Sequence, residues 1–218
     1  MKLSKEMQEV FDRLITVAEA HIVEKLSFVA RRGPGDDNQA QHSWRVAEAF
    51  SESNTAAFGL ISYQAWRRKF PMQLAQLVAL LHDVPEDTDR LPSAVFDDVI
   101  KRYEEAYGKE PADSTRSPRW WAQEVFDVLD RLTRKPGTLY LDYFHRAMQH
   151  PTAKYVKLMD MLDNCTGPGL TKTQAFKYAA AVFSYRAESQ ADLHSEPEKL
   201  LLMEIETKLI GHMQENGW

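Results

Sequence analysis

Cysteine is nearly absent from this chain of 218 residues: Cys165 stands alone. No disulfide can form within the chain, which fits a reducing compartment. Basic residues are not in excess. Lys and Arg total 27 against 32 Asp and Glu, giving a formal net charge of -5. That balance argues against a general nucleic-acid binder, which is normally basic, while a few local cations can still hold an anionic small molecule. No apolar run reaches the ~18 residues of a membrane span. The opening residues, Met1 to Glu6, lack an apolar signal core. Also missing are runs of alternating β-branched residues, internal repeats and any linker long enough to divide the chain. The expectations are a soluble, cytoplasmic protein with no membrane partner and no nucleic-acid partner, its oligomeric state left open.

What remains is helical periodicity. Met7, Val10, Phe11, Leu14, Ile15, Val17, Ala18, Ile22, Leu26 and Val29 recur at intervals of three and four, predicting a helix over 5–30 stopped by Gly33-Pro34-Gly35. The polar stretch 36–41 reads as a mobile loop or a helix start. A second helix carries His42, Val46, Ala49 and Phe50, and a third, amphipathic one covers 55–69. Pro71 suits the first turn of a helix running to His82-Asp83. Ser93 is read as the cap of a helix over 94–107 ended by Gly108. Further helices are predicted over 120–133, 139–149, from Pro151 through Leu162 to a stop at Gly167-Pro168-Gly169, over 171–191 and, capped by Ser195, to about Gln214. The fold class is all-α, one domain over 1–218.

The chemistry gathers at Leu80-Leu81-His82-Asp83-Val84-Pro85-Glu86-Asp87. An apolar run ending in His-Asp buries charge, and buried charge is costly unless it is paired or holds a metal. His plus Asp suits Mn²⁺, Fe²⁺ or Zn²⁺. The plain alternative is a helix C-terminus with solvated acids, where His82 answers the helix dipole. Two further ligands lie on apolar-patterned helices. His42 precedes His82 by 40 residues, and Asp160 follows Asp83 by 77. Each has a plain reading of its own: His42 as a satisfied core histidine, Asp160 as the partner of Lys157 or Lys154.

Three stretches then carry a resemblance. Ala79-Leu80-Leu81-His82-Asp83-Val84-Pro85-Glu86-Asp87-Thr88 is similar to the ALLHDVVEDT of the HD-domain metal-dependent phosphohydrolases that hydrolyse (p)ppGpp. Val156-Lys157-Leu158-Met159-Asp160-Met161-Leu162-Asp163-Asn164 resembles their VKLADRLHN. Leu132-Thr133-Arg134 with Tyr140 and Tyr143 resembles the LTR…Y..Y of the small stand-alone members. The resemblance spans roughly residues 10–165, leaving helices over 170–215 to pack on that part, and implies a single HD-domain helical bundle. It implies one divalent metal, Mn²⁺, held by His42, His82, Asp83 and Asp160. Glu86 and Asp87 would position and deprotonate the attacking water, and Asn164 would touch the nucleotide sugar. Arg31, Arg32, Arg45, Arg134 and Lys135 are the basic groups available for a diphosphate, each with a solvated-surface reading beside it.

The departures from that pattern fall around the substrate. Where the family reads R-K-x-G-x-P-Y-x-x-H, this chain has Arg31-Arg32-Gly33-Pro34-Gly35-Asp36-Asp37-Asn38-Gln39-Ala40-Gln41-His42, without the Pro-Tyr. Asp163 stands where the family has His, and Met161 where it has Arg. Trp120-Trp121 has no counterpart, and no synthetase motif follows Gly169. The expected activity is removal of a 3′-pyrophosphate from (p)ppGpp or a related nucleotide with weak base discrimination. Another nucleotide, such as a deoxynucleoside monophosphate or NADPH, and a non-catalytic nucleotide-binding domain are the alternatives.

Overall fold

The computed structural model describes residues 4–30, 38–51, 72–111, 114, 117–167, 169–188 and 196–218. Ten α-helices are described: α1 (Lys5–Leu26), α2 (Gln39–Glu48), α3 (Met72–Leu81), α4 (Val84–Asp87), α5 (Pro92–Tyr107), α6 (Ala122–Leu132), α7 (Tyr140–Met148), α8 (Pro151–Thr166), α9 (Lys172–Glu188) and α10 (Glu196–Glu215). Among the described residues there is no strand, only an isolated antiparallel bridge between Ala30 and Asn38. The all-α expectation holds.

Helix α3 is the axle. Met72, Leu74, Ala75, Leu77, Val78, Ala79, Leu80 and Leu81 are all buried, so the helix is covered on every side. It packs against α1, α2, α6 and α8. Leu74, Leu77, Val78, Leu80 and Leu81 each contribute about 2 kcal/mol of apolar burial. Their sum outweighs the several kcal/mol per ion that dehydrating charge costs after relaxation, so the helix can carry a His-Asp pair at its inner end. Helices α7, α8, α9 and α10 pack on one another at the other side of α8.

Several boundaries differ from the sequence reading. Helix α1 stops at Leu26 rather than near Ala30. Ser27 closes it, donating its backbone N–H to Val23 O, and Phe28 is 92% exposed. The Val29 carbonyl instead accepts the N–H of Gln39, drawing this strand of chain onto the start of α2. Ser93 is not the cap of α5. Pro92 occupies the first turn after Leu91, where its fixed φ fits and its missing N–H costs nothing. A 3-10 turn, Pro118–Trp121, capped by Ser117, precedes α6 in place of a helix from Trp120. The stretch 36–41 resolves in favour of a helix start from Asn38 onward, where Asn38 and Gln41 form a reciprocal capping box. The helix read over 55–69, the Gly33-Pro34-Gly35 stop, Pro71 and the Ser195 cap lie outside the described residues. Among the described residues no helix is long and apolar enough to cross a membrane.

One buried group has no sequence signal. His21 on α1 is fully buried, and neither ring nitrogen has a hydrogen-bond partner. Burial, with the Arg102 charge, pulls its pKa down to about 4, against smaller opposing effects of Asp98 and Glu24. A histidine depressed in the folded state favours folding while it stays neutral, and the unfolded chain takes up a proton first, near the ordinary 6.5. Its contribution is therefore complete above pH 6.5 and is lost as pH falls toward 4. Urea unfolding at pH 4.5 and 7.5 should show this slope in the wild type and a flatter dependence in His21→Leu.

Candidate metal centre

Three helices converge on one point. The capping box fixes the start of α2 and sets His42 on its core face, 1% exposed. Helix α3 delivers His82 immediately after its last turn. Asp83 then stands at the N-cap position of α4 yet makes no side-chain cap bond. Its carboxylate is turned instead to the other ligands. Helix α8 presents Lys157, Asp160, Asp163 and Asn164 at spacings of three and four, one face of one helix.

His42 Nε2 lies 3.1 Å from Asp160 Oδ1 and 3.4 Å from Asp83 Oδ2. His82 Nε2 lies 3.0 Å from Asp83 Oδ2 and 3.7 Å from Asp160 Oδ1. The coordinating atoms of His42, His82 and Asp160 all fall within 4.8 Å of one another. His82 Nδ1 donates to the Ala79 carbonyl at 2.7 Å, so in the neutral ring Nε2 is the nitrogen with the lone pair. That Nε2 is buried and without a hydrogen-bond partner despite its nearness to Asp83. A buried, unpartnered ring nitrogen facing two carboxylates fits a divalent cation, and the His-His-Asp cluster, with Asp83 beside it, suits a transition metal.

The carboxylates are braced. Lys157 Nζ donates to Asp160 Oδ2 at 2.5 Å, and Asn164 Nδ2 donates to Asp160 Oδ1 at 2.6 Å. Gln39 Nε2 donates to Asp83 Oδ2. Asp163 Oδ2 sits 2.7 Å from His42 Nδ1, and Arg45 donates to both Asp163 oxygens, at 2.8 and 3.1 Å. Burial alone would raise Asp160, but Lys157 and the two histidines hold its carboxyl well below the usual range. Burial likewise opposes charge on His82, yet Asp83 and Asp160 raise it well above an ordinary imidazole. The metal-free cluster is thus a set of ion pairs in which cations stand where a metal would otherwise satisfy the carboxylates.

A family model described as the HD domain matches residues 40–165, more than half of the chain. This chain belongs to the HD-domain family. No curated protein and no solved structure matches it. HD domains bind divalent metals, and the His-His-Asp cluster supplies the place for one here. The family supports a hydrolase, a metal-dependent phosphohydrolase acting on a small molecule.

Other residues expected around this HD centre are placed as follows. Glu86 and Asp87 follow Asp83 on α4. Glu86 Oε1 accepts the backbone N–H of Arg134 at 2.5 Å. Partial dehydration and the charges of Asp83 and Glu86 push Asp87 up to about 6. Arg134 and Lys135 are exposed at the α6–α7 turn, Lys135 pairing with Asp130 at 3.1 Å. Arg45 faces Asp163, and Asn164 faces Asp160. Arg31 and Arg32 lie outside the described residues. Sequence reasoning missed the bond from Gln39 to Asp83 and the part played by Asp163. The available signal for Asp163 was its place three residues after Asp160, on the same face. The plain reading of Asp160 as the partner of Lys157 is also correct: one carboxylate oxygen serves Lys157 while the other faces the histidines. Lys154 goes instead to Glu198 on α10, at 3.1 Å.

Lys157 is 7% exposed and its ammonium also lies 5.0 Å from the Tyr143 ring centroid. Removing one partner of a buried pair strands the other charge, at a cost of about 3–5 kcal/mol. Lys157→Met should therefore lower the unfolding free energy of the metal-free protein by about 3 kcal/mol. Lys101→Met, which breaks an exposed helix pair with Glu105, should change it by under about 0.5 kcal/mol. Denaturant titration of both variants checks the contrast.

Proposed function

We propose that this HD domain is a Mn²⁺-dependent nucleotide phosphohydrolase that removes the 3′-pyrophosphate of (p)ppGpp or a closely related nucleotide. One observation carries the reading: Glu86 and Asp87 stand directly beyond the His82-Asp83 pair, on the short helix Val84–Asp87 that follows Asp83, with Glu86 tied to the Arg134 backbone. This is the Glu-Asp that follows His-Asp in the resembled hydrolases.

His42, His82, Asp83 and Asp160 would hold the metal. Bound there, a divalent ion supplies Lewis-acid polarisation of a phosphoryl oxygen and lowers the pKa of water. The chain's own groups do the rest. The carboxylate of Asp87, raised toward neutrality, takes the proton of the attacking water. Glu86, held by Arg134 N–H, orients that water. The water oxygen joins the phosphorus next to the ribose, the bond from that phosphorus to the 3′-oxygen breaks, the 3′-oxygen takes the proton back from Asp87 to leave as the ribose hydroxyl, and pyrophosphate is released. Arg134 and Lys135, with Arg31 and Arg32, are the cations that would meet the diphosphate.

A second reading, the same centre acting on another nucleotide, is favoured by two engagements. Asn164, expected at the sugar, donates to Asp160, and Arg45, expected at a phosphate, is bidentate on Asp163. Both groups are turned to the metal centre, which leaves recognition of the base and sugar to other residues.

Purified protein with Mn²⁺ and ppGpp should yield GDP and intact pyrophosphate, told from orthophosphate by phosphorus NMR. Orthophosphate alone, or cleavage of a nucleoside monophosphate but not of the 3′-diphosphate, moves the assignment to the second reading.

Asp87→Asn should keep the metal, measured by elemental analysis, while turnover falls by about 10²-fold or more, the usual worth of a positioned base. Unchanged turnover would return Glu86 and Asp87 to a surface acidic cluster.

A further inference from the structure

The two imidazoles of the centre are not equivalent. His82 Nδ1 is backed by a neutral group, the Ala79 carbonyl. His42 Nδ1 is backed by a carboxylate, Asp163, at 2.7 Å, and that carboxylate is itself clamped through both oxygens by the Arg45 guanidinium. Asp163 is only partly buried, at 15% side-chain exposure, and Arg45 lies at the surface, so this backing runs outward from the centre to solvent. Nothing in the resembled pattern requires it, since the family carries His where this chain has Asp163.

The physical consequence follows from which proton His42 keeps. Its ring lies between two carboxylates, Asp163 at Nδ1 and Asp160 at Nε2, 3.1 Å away. The contact to Asp163 is the shorter, and the bidentate fork of Arg45 fixes the place of that carboxylate. A carboxylate accepts only, so in a neutral ring the shorter contact is Nδ1–H donating to Asp163, and Nε2 faces Asp160, Asp83 and His82. A carboxylate behind an imidazole also makes it a more basic ligand than a carbonyl does.

We propose that Asp163, held by Arg45, is a positioning residue for the metal: it retains the proton on His42 Nδ1, presents Nε2 for coordination, and makes His42 the stronger of the two imidazole ligands. This rests on the metal reading given above. It also removes Arg45 from the cations available to substrate and makes it the outer end of a relay, Arg45–Asp163–His42.

The test is Zn²⁺ affinity, by competition with a chromophoric chelator, for the wild type, Asp163→Asn, Asp163→Leu, Arg45→Met and the Arg45→Met/Asp163→Asn double variant. Asn preserves the shape of Asp but offers an amide that can donate to Nδ1 and so favour the wrong tautomer. Asp163→Asn should weaken Zn²⁺ binding by about 10–100-fold, and Asp163→Leu by at least as much. Arg45→Met should have a smaller effect, and the double variant should be no weaker than Asp163→Asn alone, because both act through one carboxylate. Long-range ¹⁵N–¹H correlation spectra of the Zn²⁺-loaded protein supply a readout that mere structural support would not move. They should place the His42 proton on Nδ1 in the wild type and show it lost or displaced in Asp163→Asn. Wild-type uptake of Zn²⁺ with Asp163→Asn binding within twofold, and the His42 proton unmoved, overturns the role of Asp163 alone. No uptake by the wild type overturns the metal reading and this role together.

Discussion

A carboxylate buried at 4% exposure is the constraint on which the arrangement turns. Asp160 cannot stay ionised inside a helical core without compensation, and its two oxygens find it in opposite directions. Oδ2 takes the ammonium of Lys157 one turn earlier on α8, and Oδ1 takes Asn164 and faces the two imidazoles. Because Lys157 already balances the formal charge, the oxygen facing the imidazoles is preorganised rather than neutralised. The side that faces α2 and α3 keeps its electron pairs for whatever sits between His42 and His82.

That division of labour needs three helices held in register, and the means differ. Helix α3 is held by burying eight of its ten residues, all but Gln73 and Gln76, which keeps the His82-Asp83 end from swinging toward solvent. Helix α2 is held at its start by the Asn38–Gln41 box and by the bond from Gln39 N–H to the Val29 carbonyl, and Gln39 in its first turn reaches across to Asp83. Helix α8 is held by α7 and α10, the latter through the Lys154–Glu198 pair among other contacts, while α9 packs on α7 and α10 and ties to α10 through the Tyr185 hydroxyl on Glu198. The C-terminal helices thus brace the helix that supplies Asp160 and add no ligand to the cluster.

The sequence made the clustered His42, His82, Asp83 and Asp160 legible for a physical reason: ionisable groups stand out against apolar periodicity, and each of the four interrupts or ends a buried helical pattern. The helix count and most spans were legible from the same periodicity. Less so were the ends. A cap is decided by which backbone groups find partners, and the Val29 carbonyl is recruited by Gln39 from across a turn, which no local pattern encodes. Pro92 over Ser93 at the start of α5 is a choice between two valid signals, settled by the proline's fixed φ. Roles assigned to polar residues on the rim were the least legible. Asn164 and Arg45 have the right chemistry for a nucleotide, yet their neighbours in space are Asp160 and Asp163. Sequence spacing shows that they share a helix face or lie near a ligand, not which acceptor each will find.

The charge of the centre ties these points to the chemistry. Counting formal charges with neutral imidazoles, Asp83, Asp160 and Asp163 contribute three negative charges, and Lys157 and Arg45 two positive ones, a net of one negative. A divalent ion would turn that into a net of one positive. Without the ion, burial opposes charge on His42 and His82 but the neighbouring carboxylates favour it, so the cluster's positive charge depends on protons. With the ion, the imidazoles are neutral ligands and the cluster holds a fixed positive charge, with Glu86 and Asp87 just beyond Asp83 as acceptors for the proton of water. Metal binding would therefore do more than polarise a phosphoryl oxygen: it would replace exchangeable protons by a fixed positive charge facing an anionic substrate.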